Sequence, residues 1–168
     1  MLSAGTRSAL RARPQEPMIT SLHVSRFVNR VLRRAGGRGV QTFESGCGDL
    51  LPHPIADSCI EEGAPIARCT TLTESPDKRL SSGLWECSAG RFKVIFALDE
   101  IVHILDGEVV VREGESGPVH RLGPGDVAYF PMGLVSHWNV PKFVKKFFVV
   151  RVPGGHPYLA RVRQRFDI

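Results

Sequence analysis

The chain has 168 residues, 42% of them hydrophobic, which fits one globular domain with appendages around a single buried core. Its net charge of +5 belongs to the amino-terminal arm, because residues 1–43 hold eight arginines and one acid, Glu16, leaving 14 basic and 16 acidic residues elsewhere. The domain proper is therefore mildly acidic, which argues against nucleic acid as its partner, and no run of about 18 apolar residues suggests a transmembrane helix.

Residues 1–17 are rich in Ala, Arg, Ser and Pro and have little to bury, so disorder is expected there. Within 18–36, Val24, Phe27, Val28, Val31 and Leu32 fall at the spacing of one helical face, with Arg26, Arg30, Arg33 and Arg34 on the other. Gly36 and Gly37 then stop this basic amphipathic helix. Three roles suit it: an organelle transit peptide, a helix docking on a membrane surface or a partner, or a helix packed on the domain. A cytoplasmic location is the simpler expectation, with the mitochondrial matrix as the alternative if the source is eukaryotic. Met18 also offers a second possible start.

Residues 37–64, interrupted by Pro52, Pro54 and several glycines, read as a lead-in segment that wraps the domain. From 65 to 153, short β-rich runs alternate with turn signals, the spacing of an all-β sandwich or barrel. The runs are roughly 66–73, 83–88, 91–97, 100–105, 108–112, 118–122, 126–131, 136–140 and 143–151. Asp106-Gly107 predicts a tight type I′ hairpin turn across Leu105–Glu108, since that turn needs positive φ at both central residues. Residues 114–117 and 123–126 supply the next reversals. In the tail, 154–168, Leu159, Val162 and Phe166 lie at helical spacing, which predicts a short carboxy-terminal helix. Cys47, Cys59, Cys69 and Cys87 form no C-x-x-C pair, so neither a zinc ribbon nor a thioredoxin-type motif is supported. A reduced compartment is the simpler reading of them.

Gly125, Pro131 and Gly133 stand in the pattern G-x5-P-x-G, which resembles the second sequence motif of the cupin superfamily. With LWECSAGRF from Leu84, DEIVHILDGEVVV from Asp99, RLGPGDVAYFPMG from Arg121 and HWNVPKFVKKFFVV from His137, the chain resembles the single-domain cupins related to ureidoglycine aminohydrolase. The resemblance covers about residues 60–151 and implies a double-stranded β-helix, the jelly-roll barrel. It also implies a homodimer, because cupin barrels often pair sheets between subunits. It does not carry an activity, since one fold hosts many functions.

A metal-bearing cupin of this superfamily offers H-x-H, then a glutamate, then a histidine after the second motif, all facing the barrel interior. Glu100 matches the glutamate, but the first two positions fall at Val94 and Phe96 or at Lys93 and Ile95, and the last is Ser136. The E-x-H pattern of ureidoglycine aminohydrolase meets Val102 where its first histidine should be. One carboxylate does not hold zinc, iron or manganese, which need three or four converging donors. Cys87, His103 and His137 are the candidates to complete a divalent-metal set with Glu100. His103 and His137, however, stand an odd number of residues from Glu100 and Ser136 and should face the other way.

What remains is a pocket. Strand alternation places Glu100 with Val102 and Ile104, Ser136 with Trp138, and Trp85 with Cys87 on common faces. These define an apolar, tryptophan-lined site for a small molecule, with ligand-binding candidates Trp85, Cys87, Glu100, Val102, Ser136 and Trp138. A lone buried acid there would have a raised pKa and could serve as proton donor or ligand anchor, making Glu100 the catalytic candidate. The bland alternative is that Lys93, Arg91 or Lys146 neutralises Glu100 and the pair only fixes the barrel. Lys145 and Lys146 are adjacent, so only one of them could reach the interior. Two further readings stand beside small-molecule binding. One is a metal-dependent enzyme acting on a nitrogenous or carbonyl metabolite, and the other an interaction module docking through the arginine-rich helix, which includes peripheral membrane contact.

Overall fold

Runs of β-branched and aromatic residues with a period of two have one face to bury, and in this chain they do so by folding one sheet onto itself. The computed structural model describes residues 39–43 and 49–153. The helices expected over 18–36 and in the tail lie outside those residues.

The strands are β1 (Leu51–Pro52), β2 (Ile60–Glu62), β3 (Ala67–Glu74), β4 (Leu80–Ile95), β5 (Asp99–Gly107), β6 (Val109–Glu113), β7 (Val119–Leu122), β8 (Val127–Phe130) and β9 (Val135–Arg151). A short 3-10 turn, Asp57–Cys59, precedes β2. All pairings are antiparallel, and two long strands, β4 and β9, form the spine. The first part of β4 pairs with β3 and with the end of β9, while its second part pairs with β2 and with the start of β9. On the other side of β9, β5 lies along its end and β6 along its start, with β8 and β7 outside them. The result is the jelly-roll barrel expected of a cupin fold.

The long strands correct the sequence reading in two places. The runs 83–88 and 91–97 join into β4, and 136–140 and 143–151 join into β9, because each pair is bridged by a bulge rather than a loop. The register shifts between Ser88 and Gly90 opposite Val140 and Phe143, so Pro141 sits within the irregularity, where its missing N–H is tolerated. Leu105–Glu108 is also not a hairpin. Gly107 has φ +72°, but Asp106 is not in the positive-φ region, and β5 and β6 do not pair with each other. Both instead run along β9, and the chain bends at Gly107, where a Cβ would lie 2.0 Å from the Phe143 carbonyl oxygen. Close backbone approach, not a type I′ turn, is what requires glycine there.

Alternation along each strand fills the interior with Ala67, Cys87, Phe92, Phe96, Val102, Ile104, Val109, Val111, Phe130, Trp138, Val140, Val144, Phe148 and Val150, all buried. Five aromatic rings make the densest part. Phe96 stacks on Phe130 at 4.6 Å between centroids, and Trp138 contacts Trp85, Phe92, Phe96 and Phe130 within 6.5 Å. Truncating any buried ring of this size costs about 3–5 kcal/mol.

Candidate functional site

The turns of the G-x5-P-x-G stretch place the site by fastening the start of β9 and the rim of β5. Gly125 (φ +94°) donates its N–H to the Ile104 carbonyl at 2.9 Å, and Gly133 (φ +89°) donates to the Phe96 carbonyl at 2.7 Å. Asp99 Oδ1 accepts the Met132 N–H and the Tyr129 hydroxyl, each at 3.0 Å. These contacts set the phase of β9, so that Ser136 and Trp138 point inward and His137 outward.

Ser136 is completely buried, and its hydroxyl accepts the indole N–H of Trp138 at 3.0 Å. The residue standing where a metal-bearing cupin has its last histidine therefore satisfies a buried tryptophan two residues further on. Val94 and Phe96, at the other two histidine positions, pack into the core. The bulge at Ser88–Gly90 decides this phase: the inward residues of β4 are Trp85 and Cys87 before it, and Phe92 and Val94 after it.

Glu100 is not a lone acid: of the two readings the sequence left open, the one with a basic partner is what the structure has. Lys146 Nζ donates to its Oε1 at 2.8 Å, and the two side chains are only 11% and 8% exposed. Lys146 lies opposite Trp85 on β4 and Ile104 on β5, and its ammonium sits 4.9 Å from the Trp85 ring and 4.7 Å from the Trp138 ring. Each such desolvated cation–π contact contributes up to about 2 kcal/mol. At this separation the ion pair's gross attraction is about 6 kcal/mol at an effective dielectric constant near 20. Desolvation costs several kcal/mol for each ion and offsets most of that gain. The pair thus contributes more to a fixed arrangement than to net stability.

Two thiols share the chamber. Cys69 lies opposite Trp85 and Cys87 opposite Ala67, on the same face of β3 and β4. Burial pushes the Cys69 thiol up to about 12, with the Lys146 ammonium opposing and the Glu100 carboxylate adding to the rise. Burial likewise pushes Cys87 up to about 12 against Lys146. Both are therefore poor nucleophiles at neutral pH. Trp85, Cys69 and Glu100 each keep part of their surface exposed, whereas Cys87, Val102, Ser136 and Trp138 are enclosed.

The structure thus brings Trp85, Cys87, Glu100, Val102, Ser136 and Trp138 to the interior, and it leaves His103 exposed on the outer face of β5. His137 lies on the outer face of β9, where its Nδ1 meets the Glu61 carboxylate and its Nε2 is 3.4 Å from Glu115 Oε1 without hydrogen-bond geometry. Of the three cations weighed as partners of Glu100, Arg91 pairs with Glu62 at 3.2 Å, Lys93 lies opposite His137, and Lys146 is the one that reaches inward. Lys145 lies opposite Glu86 on the outer face. Lys146, weighed only as a partner of Glu100, and Cys69 were not among the binding candidates, because their place depends on which strands pair.

A divalent metal of the usual cupin kind does not fit these residues. Val94, Phe96 and Ser136 replace the imidazoles, both candidate histidines face outward, and Glu100 is engaged by an ammonium. Among the described residues no three His, Cys, Asp or Glu side chains converge to hold a metal.

Residues 74–148 match the family model of the EutQ-like cupin domain. The barrel thus has the cupin fold, and its residues 74–148 are similar to the EutQ-like cupin domain. Among solved structures, the chain is similar to a putative ethanolamine utilization protein EutQ from Salmonella typhimurium. The two share 25% identity over 51% of this chain and 69% of that one, with a TM-score of 0.46. It is also similar to the EutQ protein of Clostridium difficile, at 20% identity over 52% of this chain and 63% of that one, with a TM-score of 0.46. A protein of unknown function from Pseudomonas syringae pv. tomato gives a TM-score of 0.56 at 24% identity, over 61% of this chain and 44% of that one. That likeness shows the shared fold. No curated protein matches the chain.

Proposed function

We propose that the barrel interior binds a small polar molecule, with Glu100 as the group that meets it and without the standard cupin metal set. The observation that carries this reading is the placement of the Glu100–Lys146 pair, nearly but not fully buried, against the rings of Trp85 and Trp138. A pair serving only as a strut would be as well served by apolar residues of the same volume, since burying both ions leaves little net gain. Convergent polar groups within an apolar, preformed interior are the usual make-up of a ligand site. The ureidoglycine aminohydrolase-like relationship belongs to this proposal as the source of one probe class, the ureides.

A thermal-shift screen of small amines, ureides and sugars tests the reading. The expected result is at least one compound that raises Tm and loses that effect in Glu100→Gln. If every stabilising compound acts equally on the natural chain and the variant, the Glu100 site is not the binding site.

A further inference from the structure

We propose that the ligand of this site is an uncharged molecule that donates a hydrogen bond to Glu100 from beside a small apolar body. This inference rests on the binding reading above and narrows it to a chemical class. Lys146 takes one oxygen of the Glu100 carboxylate, and Oε2 has no hydrogen-bond partner among the described residues. The carboxylate is not sealed, as its side chain keeps 11% of its surface exposed. Among the described residues, the carboxylate therefore keeps one unpartnered oxygen while its charge is balanced by Lys146.

That neutrality decides the class. A cationic ligand drawn to Glu100 arrives beside the Lys146 ammonium, and an anionic ligand drawn to Lys146 arrives beside the Glu100 carboxylate. In either case the nearby like charge offsets part of the attraction, while the ion still loses its hydration. The electron-rich faces that would otherwise welcome a cation, those of Trp85 and Trp138, already hold Lys146. An amide or alcohol N–H or O–H has no such conflict. It satisfies Oε2, and its carbon body meets the partly exposed ring of Trp85 beside the pair.

Trp85 and Trp138 are the chain's two tryptophans, so the intrinsic emission of the full chain reports this chamber. Three probes of similar size, propionamide, propylammonium and propionate, are titrated at matched ionic strength. Propionamide is expected to shift the emission with an affinity at least about tenfold above either ion, and to lose it in Glu100→Met/Lys146→Met, which removes the acceptor and both charges together. In Lys146→Met the preference should invert toward propylammonium, because the carboxylate and both indole faces are then free. Should this single variant fail to fold, the double variant keeps the propionamide comparison decisive. An ion binding the natural chain as tightly as propionamide overturns the ligand class, and loss of that binding in the double variant leaves the site reading standing. Absence of any emission change with all three probes overturns both.

Discussion

Strand β9 carries a nitrogen base held by a carboxylate on each of its faces, and the two work in different surroundings. On the inside, Lys146 holds Glu100 across 46 residues of sequence, with both side chains nearly buried and two indole rings over the ammonium. On the outside, His137 meets Glu61, whose side chain is 31% exposed, and lies 3.4 Å from Glu115, 89% exposed. The outer contact holds β2 and the turn after β6 against the barrel wall, and solvent and salt reach it through its two carboxylates, His137 itself being 17% exposed. The inner contact is shielded from both, so its members depend on each other far more than on the solution. Similar pairings of a base with a carboxylate thus give a surface fastening in one place and a fixed, nearly buried neutral pair in the other.

Breaking the inner pair tests the contrast most strongly. Lys146→Ala or Glu100→Ala leaves a buried charge without its partner and is expected to destabilise the fold by about 3–5 kcal/mol. The isosteric double change Glu100→Gln/Lys146→Met should recover most of that loss, and chemical denaturation measures both. A single variant as stable as the natural chain would show that the chamber is wetter than its burial indicates.

Removing the hydroxyl beneath Trp138 comes next in size. Ser136→Ala leaves the indole N–H unsatisfied in the core and should cost about 1–3 kcal/mol, read by the same denaturation. Restoring the superfamily's imidazole with Ser136→His should cost more than Ser136→Ala, because Ser136 is completely enclosed and the larger ring overpacks the site.

The thiols sharpen the contrast through pH. Their folded values, about 12, lie above the ordinary thiol value of 9.0, so the unfolded chain releases these protons first. The contribution of Cys69 and Cys87 to stability is complete below pH 9 and is lost as pH rises through that window toward 12. The double change Cys69→Ala/Cys87→Ala should flatten this alkaline fall in Tm, and an unchanged slope would contradict it. Below pH 9 both thiols should also resist iodoacetamide until denaturant is added, as mass spectrometry would show.

The smallest effect is expected outside. His137→Gln should change stability by less than about 1 kcal/mol, with a salt dependence that the Lys146 variants lack. A loss there as large as that of Lys146→Ala would erase the distinction between the two faces.

How much of this was legible in the residues varies with the kind of information each feature needs. Trp85 with Cys87, Glu100 with Val102 and Ile104, and Ser136 with Trp138 were placed on common faces by alternation alone, because each set lies on one unbroken stretch of strand. The two options for the absent histidines, Val94 and Phe96 or Lys93 and Ile95, stayed open until the bulge at Ser88–Gly90 fixed the phase of β4. Asp106-Gly107 misled because its composition suits a hairpin, while the actual demand on Gly107 is the passage of the Phe143 carbonyl. The partner of Glu100 stayed open among three cations for the same reason. Proximity across a barrel is a property of strand pairing, not of local sequence.

The sequence by itself determined a β-rich barrel with intact cupin turns and with none of the imidazoles of the usual metal set, since turn chemistry and residue identity are local. Tertiary structure decided what stands in their place. Only when β9 lies between β4 and β5 does Lys146, one of three cations the sequence offered, come under two tryptophans and reach the carboxylate, giving a neutral pair with one carboxylate oxygen unpartnered among the described residues.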